Sequence, residues 1–512
     1  MSTDIETVEI PRVRFTQRER RGVFLGRSWP QIILAGIAIL GMLLPALLAS
    51  WERVWWLLFL GLPLLVLAVW NFRGEPILLL LSQSSRYLWR SMRGQTKFRR
   101  NVWRRVLTTP LPTGNPSERI PVPYVYRHLD LPGGLADVQF VDIPTRGGFI
   151  YNARDQVAAV TIRIRSSAWM LRDDTRKAEV YNGFGGWLSS LEGMPALTEA
   201  NLCVRVDRAP STELAEHAAR RDEERKTVIS DELQREYDWL VATEQARSME
   251  FTSTITLSFD VAALSTDVKD SGGGLTGLGA IMFDRVEALK SALVDLDVDF
   301  EEWMDAETLD AYTAAALDPM TASARREKLG RSRKESRSRP PMMSIDEHSS
   351  SITIDGTEHR TMWVHEWPRT KVRVGFLHPL LYTGESTRSV VLQFRPIPMH
   401  EAINELGQAQ IDLEAAATVR EKWGGRTGIL HDREAQDLED REEDLADGFT
   451  DGRFRAFVTI SGHSLAEIRR DQTSLEQAGY QAHVRMGLLR NQQWPALVTS
   501  VLPIPTRGKK KK

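Results

Sequence analysis

Uncharged, apolar residues fill positions 31–50 and 54–70, and only Trp51-Glu52-Arg53 separates the two runs. An apolar stretch of about 17–25 residues crosses a bilayer as a helix, and a three-residue link can only reverse the chain. The pattern therefore predicts a two-helix transmembrane hairpin. A cleaved export signal has a shorter apolar core and a small-residue cleavage site, so the runs read as an anchor. Beyond the hairpin the pattern changes to shorter periods. VQFVDIPTRGGFIYNA and QVAAVTIRIRSS read as strands, as do NLCVRVDR, Phe251–Asp260, SITIDG, HRTMWVHEW, STRSVVLQFRPIP and RFRAFVTISG. Helical periodicity is read over 174–194, 212–246, 281–297, DAETLDAYTAAAL, 399–423 and SLAEIRRDQTSLEQAG. Strand–long helix–strand occurs in both halves, without a recognisable sequence repeat.

The predicted fold class is a membrane-anchored α+β protein: the hairpin followed by a large cytoplasmic mixed α/β body of two subdomains. Its organisation is a basic N-terminal tail over 1–29 and the hairpin over 30–72, then a basic amphipathic segment with a Pro/Gly-rich linker over 73–135. A first α+β subdomain over 136–320, a basic flexible linker over 321–350, a second subdomain over 351–505 and a basic tail over 506–512 complete it.

Charge sets the expected orientation. Residues 1–107 hold 16 Lys and Arg against 6 Asp and Glu, a net of +10; the whole chain is at −2, which leaves −12 for the remainder. Positive flanks stay in the cytoplasm, so both termini are expected inside, with the inner (plasma) membrane as the location. Trp29, Trp51, Trp55, Trp56 and Trp70 sit where an interfacial aromatic belt would lie. Past the hairpin, Arg86, Arg90, Arg93, Lys97, Arg100 and Arg104 recur at intervals of four and three. On one continuous helix they would form a stripe about 80° wide, which makes them candidate headgroup-binding residues on a membrane-surface helix. The acidic body argues against a general phosphate-binding surface. The single cysteine, Cys203, has no partner in the chain and suits a reducing compartment.

Motifs that would carry chemistry fail in their details. Gly272-Gly273-Gly274-Leu275-Thr276-Gly277 matches G-x-G-x-x-G, yet a polar stretch precedes it where a dinucleotide loop needs a buried strand, so a mobile loop is expected. No G-x-x-x-x-G-K-[ST] occurs; Gly424-Gly425-Arg426-Thr427-Gly428 comes nearest and lacks the lysine. His365-Glu366 and His400-Glu401 begin like H-E-x-x-H, but Arg369 and Asn404 stand where the second histidine belongs. No catalytic, cofactor-binding or metal-ligating residue is assigned. The densest aromatic and proline cluster of the body, with Trp363, Trp367, Pro368, Arg369, Phe376 and Pro379, is a candidate partner interface or domain junction.

Arg20-Arg21-Gly22-Val23-Phe24-Leu25-Gly26-Arg27-Ser28 running into the two apolar spans resembles the PrgI-like inner-membrane proteins of type IV secretion and conjugation systems. The body is similar to the N-terminal, non-ATPase region of the assembly ATPase of those machines. That similarity is carried by Gly147-Gly148-Phe149-Ile150-Tyr151, the Phe251–Asp260 strand, Trp367-Pro368-Arg369, Phe376-Leu377 and Pro379-Leu380-Leu381. Actinobacterial conjugal-transfer proteins that fuse such a hairpin to such a body leave the motor on another polypeptide. The resemblance implies a structural subunit without catalytic residues. It would dock a separate P-loop ATPase and other channel subunits beside membrane lipid, touch DNA only indirectly, and be oligomeric in the assembled machine. Two other classes stay open from the residues alone: a membrane-anchored DNA-handling receptor using Arg325–Arg339 and Lys509–Lys512, and a membrane-tethered enzyme.

Overall fold

The computed structural model describes residues 12–13, 33, 35–40, 65, 71–72, 75–101, 122–133, 135–166, 173–208, 221, 230–247, 249–294, 296, 298–322, 341–368, 372–373, 375–422, 429–446 and 451–505. The chain begins its main architecture with α1 (Ile77–Met92) and β1 (Lys97–Arg99). Next come β2 (Tyr124–His128), β3 (Val138–Ile143), β4 (Gly147–Asn152), β5 (Val157–Ser166), α2 (Asp174–Glu192) and β6 (Leu197–Arg208). These lead into α3 (Asp231–Arg247), β7 (Met249–Asp260), α4 (Ser265–Asp270), α5 (Gly274–Val294), β8 (Val298–Trp303) and α6 (Ala306–Leu317). The later part contains β9 (Ser344–Glu347), β10 (Ile352–Ile354), β11 (Thr357–Glu366), α7 (His378–Tyr382) and β12 (Thr387–Pro396). It closes with α8 (Met399–Lys422), α9 (Ile429–Ala446), β13 (Gly452–Gly462), α10 (Leu465–Gln481), β14 (Arg485–Leu488) and α11 (Gln493–Val501).

The fourteen strands numbered above belong to one antiparallel sheet, in the order β1-β9-β10-β11-β13-β12-β6-β7-β5-β4-β3-β2, with β8 added to β5 and β14 to β11. This corrects the expected membrane-anchored α+β architecture of a hairpin plus two subdomains. The innermost strands of the two expected subdomains, β6 and β12, pair along their length, Leu202 opposite Leu392 and Val204 opposite Val390. Both strands are long, β12 largely buried and β6 mostly half-buried, so joining them satisfies backbone groups that would otherwise lie at two open edges. Of the two apolar runs only residues 33, 35–40 and 65 are described. No helix among the described residues is long and apolar enough to cross a membrane.

The sheet is an internal duplication. In the first half β3-β4-β5-β7-β6 lie side by side; in the second, β9-β10-β11-β13-β12 repeat that order, and each half continues with a helix, a strand on β5 or β11, and another helix. The register agrees residue by residue. Thr161 pairs with Thr256 in the first half and Thr361 with Thr459 in the second, and each pair shares a hydroxyl hydrogen bond of 3.0 Å. Met304 N–H donates to the Thr161 carbonyl at 3.1 Å, and Leu489 N–H donates to the Thr361 carbonyl at 3.3 Å. Carried through to β6 and β12, this correspondence maps Cys203 onto Val391. These two face each other across the seam, so the pseudo-two-fold axis passes between them. The repeated strand–helix–strand pattern of the sequence is this duplication, with α3 inserted between β6 and β7 and the α8–α9 hairpin inserted between β12 and β13.

Successive side chains of a strand point to opposite faces, and the two faces are covered differently. On one, α2 and α5 pack Trp187, Leu191, Met282 and Leu289 onto Val160, Ile162 and Leu257, while α10 packs Ile468 and Leu475 onto Val458 and Ile460. On the other face α6 and α11 share one cluster spanning both halves, with Leu309, Leu317, Leu497 and Val501 among Phe140, Ile150, Ile352 and Ile354. Local signals start the helices. Asp173, Asp305 and Ser464 cap α2, α6 and α10 by accepting from the backbone N–H groups of Arg176, Thr308 and Glu467.

The expected mobile glycine loop is instead a helix junction. Gly272, Gly273 and Gly274 take φ of +108°, +70° and +56°, which turns α4 sharply into α5. Gly277 lies inside α5, where a Cβ would stand 2.0 Å from the Val268 carbonyl oxygen. Gly277→Ala is therefore expected to cost about 2 kcal/mol or more in urea unfolding, since overpacking exceeds the gain of about 1 kcal/mol from helix propensity. An unchanged midpoint would show that α4 moves aside freely.

Candidate docking surfaces

The basic stripe expected over 86–104 is broken by the fold. The helix ends at Met92, and Gly94, with φ of +69°, turns the chain into β1. Arg86 on α1 and Arg93, just past its end, remain exposed. Arg90 is committed to Glu347 at 2.5 Å, and that carboxylate is buried beneath it. Lys97 stands in β1 opposite Asp346, and Arg100 pairs with Asp130 at 3.3 Å. Arg104 lies outside the described residues. The stripe therefore resolves into two solvent-facing arginines, one exposed lysine on an edge strand, and two arginines that tie α1 and β1 to the body.

The aromatic and proline cluster is brought together as packing. Trp367 and Phe376 lean with Leu377 and Leu381 on the core that holds Ile468 and Leu475. Pro368 is buried just past the end of β11, and Pro379 opens α7. Trp363 is half-buried in β11, its ring 6.1 Å from that of His365. Arg369 lies outside the described residues. What this region does expose is Tyr382, whose ring lies 5.3 Å from Phe251. The extended pair Val372–Arg373 also receives a two-residue strand from the N-terminal tail, Arg12–Val13.

Buried polar groups concentrate under α6 and α11. Arg205 donates to Asp207 at 2.6 Å and lies over the Tyr312 ring. The Tyr312 hydroxyl reaches the Cys203 sulfur at 3.6 Å, and burial raises the pKa of both groups. Cys203 is thus a protonated, enclosed thiol on the seam. Thr459 is bonded to Ser500 at 3.0 Å, and the Gln493 side chain accepts from Thr361 N–H and donates to the same residue's carbonyl. The His359 imidazole is buried between the Ser461 hydroxyl at 2.8 Å and the Leu317 carbonyl at 2.9 Å. A carbonyl only accepts, so Nε2 carries the proton and Nδ1 accepts from Ser461. Burial lowers this histidine's pKa to about 4. These bonds, with that from Arg205 to the Tyr312 carbonyl, hold α6 and α11 to the sheet, while the second carboxylate oxygen of Asp207 is buried without a partner. Among the described residues no cluster of three or more His, Cys, Asp or Glu is placed to hold a metal ion. The fragments at His365-Glu366 and His400-Glu401 stand apart, and His365 Nδ1 faces the Arg485 carbonyl.

Surfaces suited to other macromolecules lie on α1 and on the inserted helices, whose apolar side sequence reading missed. Helix α8 seals against α9 through Ala402, Leu406, Leu438 and Leu445, which leaves Ile403 and Ile411 exposed. Leu233 and Leu240, one stripe of α3, are exposed at the equivalent insertion in the first half. Because β6 and β12 run antiparallel, these two insertions leave opposite ends of the seam. The acidic stretch 431–446 lies in α9, which turns Glu439, Glu442 and Glu443 to solvent. The motif at Gly424–Gly428, the basic stretch Arg325–Arg339 and the lysines at 509–512 lie outside the described residues. No protein-family model matches the chain, and no curated protein matches it significantly.

Proposed function

We propose that this protein is a structural subunit of a type IV secretion-like conjugative apparatus at the inner membrane, where it docks a separate P-loop ATPase. The observation that carries this reading is the pair of helical insertions at opposite ends of a duplicated sheet, each with exposed aliphatic side chains (Leu233 and Leu240 on one, Ile403 and Ile411 on the other). Monomers rarely turn repeated aliphatic stripes to water, and such stripes are common anchors of protein interfaces. The partner's identity rests on the PrgI-like N-terminal sequence and the aromatic stretches of the body. Location at the membrane rests on the apolar runs, and confinement there would raise the effective concentration of scaffold and motor.

Detergent co-purification with a neighbouring-gene ATPase is the test. The ATPase is expected to come down with the wild-type chain, and Ile403→Asp/Ile411→Asp is expected to reduce recovery on the order of tenfold or more, as for hot-spot removal. ATP hydrolysis by the purified chain alone, or the absence of any ATPase from the eluate, would overturn the reading.

A further inference from the structure

Helix α1 has two unlike sides, and its hydrogen bonds fix which one faces outward. Ser84, Tyr87 and Arg90, spaced by three, are the side that meets the body. Ser84 accepts from the Asn491 amide at 3.2 Å, Tyr87 donates to the Glu347 carbonyl at 3.3 Å, and Arg90 pairs with the Glu347 carboxylate. Leu81, Leu88 and Met92 lie on the other side at spacings of seven and four, with Trp89 beside them. They are exposed by 49%, 60%, 79% and 50% respectively. Arg86 and Arg93 border this stripe on the side of Trp89, and the Arg93 guanidinium sits 3.6 Å over the Trp89 ring.

We infer that this outward face of α1 lies in the interface of an anionic phospholipid bilayer, with Leu81, Leu88 and Met92 among the acyl chains and Arg86, Trp89 and Arg93 at the phosphate level. An apolar stripe bordered by arginines, with a tryptophan between, is the pattern of a helix lying in the headgroup–acyl boundary. Two further points select lipid as the occupant. The uncharged run 54–70 ends seven residues before the helix begins, so the chain itself leads α1 to wherever that run is held. Residues 1–107, at a net of +10, complement the charge of anionic lipid. The inference rests on the membrane location in the proposed function and adds an orientation. Because Arg90 and Tyr87 clamp α1 to β9, the whole sheet would be held at one fixed angle to the bilayer.

The test is a nitroxide depth scan of the full chain, with single cysteines placed in turn at positions 86, 88, 92 and 480 in a Cys203→Ser background. The protein is reconstituted at low density, without any partner, in vesicles of phosphatidylcholine with phosphatidylglycerol and of phosphatidylcholine alone. Position 480, on the exposed Tyr480 of α10, is the aqueous reference. In the anionic vesicles the ratio of oxygen to nickel-chelate accessibility is expected to be severalfold higher at 88 and 92 than at 480, with 86 intermediate. In pure phosphatidylcholine the immersion is expected to weaken. Equal ratios at 88, 92 and 480 would overturn the inference. So would dipolar broadening at 88, which would mean that a second copy covers the face. The scan contains no ATPase, so failed co-purification would sink the docking role and leave this result intact.

Discussion

Asp310→Ala is expected to destabilise the fold by about 3–5 kcal/mol, because it strands a buried guanidinium. Arg127 is 1% exposed and pairs with Asp310 at 2.6 Å. Its Nε and second terminal nitrogen are buried without an acceptor. The cause of this placement is a bulge: Val125 pairs with Val141 and Arg127 with Phe140, so Tyr126 is the extra residue. Tyr126 and Arg127 are consequently both buried, which strict alternation would forbid. With one carboxylate for a largely unsatisfied arginine, the pair itself adds little net stability. Replacing it with Arg127→Met/Asp310→Leu is expected to restore stability to within about 1 kcal/mol of wild type or above it. Urea unfolding of the single and double variants reads both effects. A single-variant loss under about 1 kcal/mol would mean that water reaches the site and replaces the carboxylate.

Acid is expected to unfold the protein partly through His359. The imidazole titrates near 6.5 when unfolded and about 4 in the fold, because burial disfavours its cation. Its contribution is therefore complete above pH 6.5 and is lost as pH falls from 6.5 to about 4, where both states become protonated. The loss is about 3 kcal/mol from the pKa difference. The cation would also have to give up the hydrogen bond it accepts from Ser461, since both ring nitrogens would then be donors. Unfolding free energy measured across that range for wild type and His359→Gln should differ in slope, the variant being flatter. Parallel profiles would place the acid sensitivity elsewhere. The histidine also joins the halves, because its acceptor, the Leu317 carbonyl, ends α6 of the first half while β11 belongs to the second. Ala159 holds the corresponding position in β5, so this link exists on one side of the pseudo-symmetric molecule only.

Much of the local structure was readable. The alternating stretch Phe251–Asp260 lies within β7, the run DAETLDAYTAAAL forms α6 behind its Asp305 cap, and the helix expected over 399–423 is α8. The strand alternates with period two and α6 carries a cap, so local preference and tertiary packing agree there. The basic helix over 86–104 failed because charge spacing says nothing about chain direction: Gly94 reverses it, and Lys97-Phe98-Arg99 finds a free sheet edge. The duplication was invisible because its equivalences are positions in a register. Leu202 corresponds to Val390 and Val204 to Leu392, substitutions that keep burial and erase identity. Nor could sequence single out Arg127, Arg205 or His359 as buried, since that depends on which face α6 and α11 cover. The outward stripe of α1 was legible only as apolar residues opposite a basic face. Knowing that the body holds the Arg90 side is what turned the reading around.

The strand β1 completes the far half of the sheet, pairing with β9 across some 240 intervening residues. Its symmetry counterpart β2 pairs with its immediate successor, β3. Synthesis therefore cannot finish the molecule in order. Segment 77–99 leaves the ribosome long before Glu347 and Ser344 exist to receive it. At about 5–20 residues per second, that wait is on the order of ten seconds to a minute. Throughout it Ser84, Tyr87 and Arg90 lack the partners they meet in the finished fold, while the first half can already close on itself. Segment 77–99 is made before the strand that receives it and is among the last parts of the sheet to be seated, so whatever engages it during translation does so before the body can.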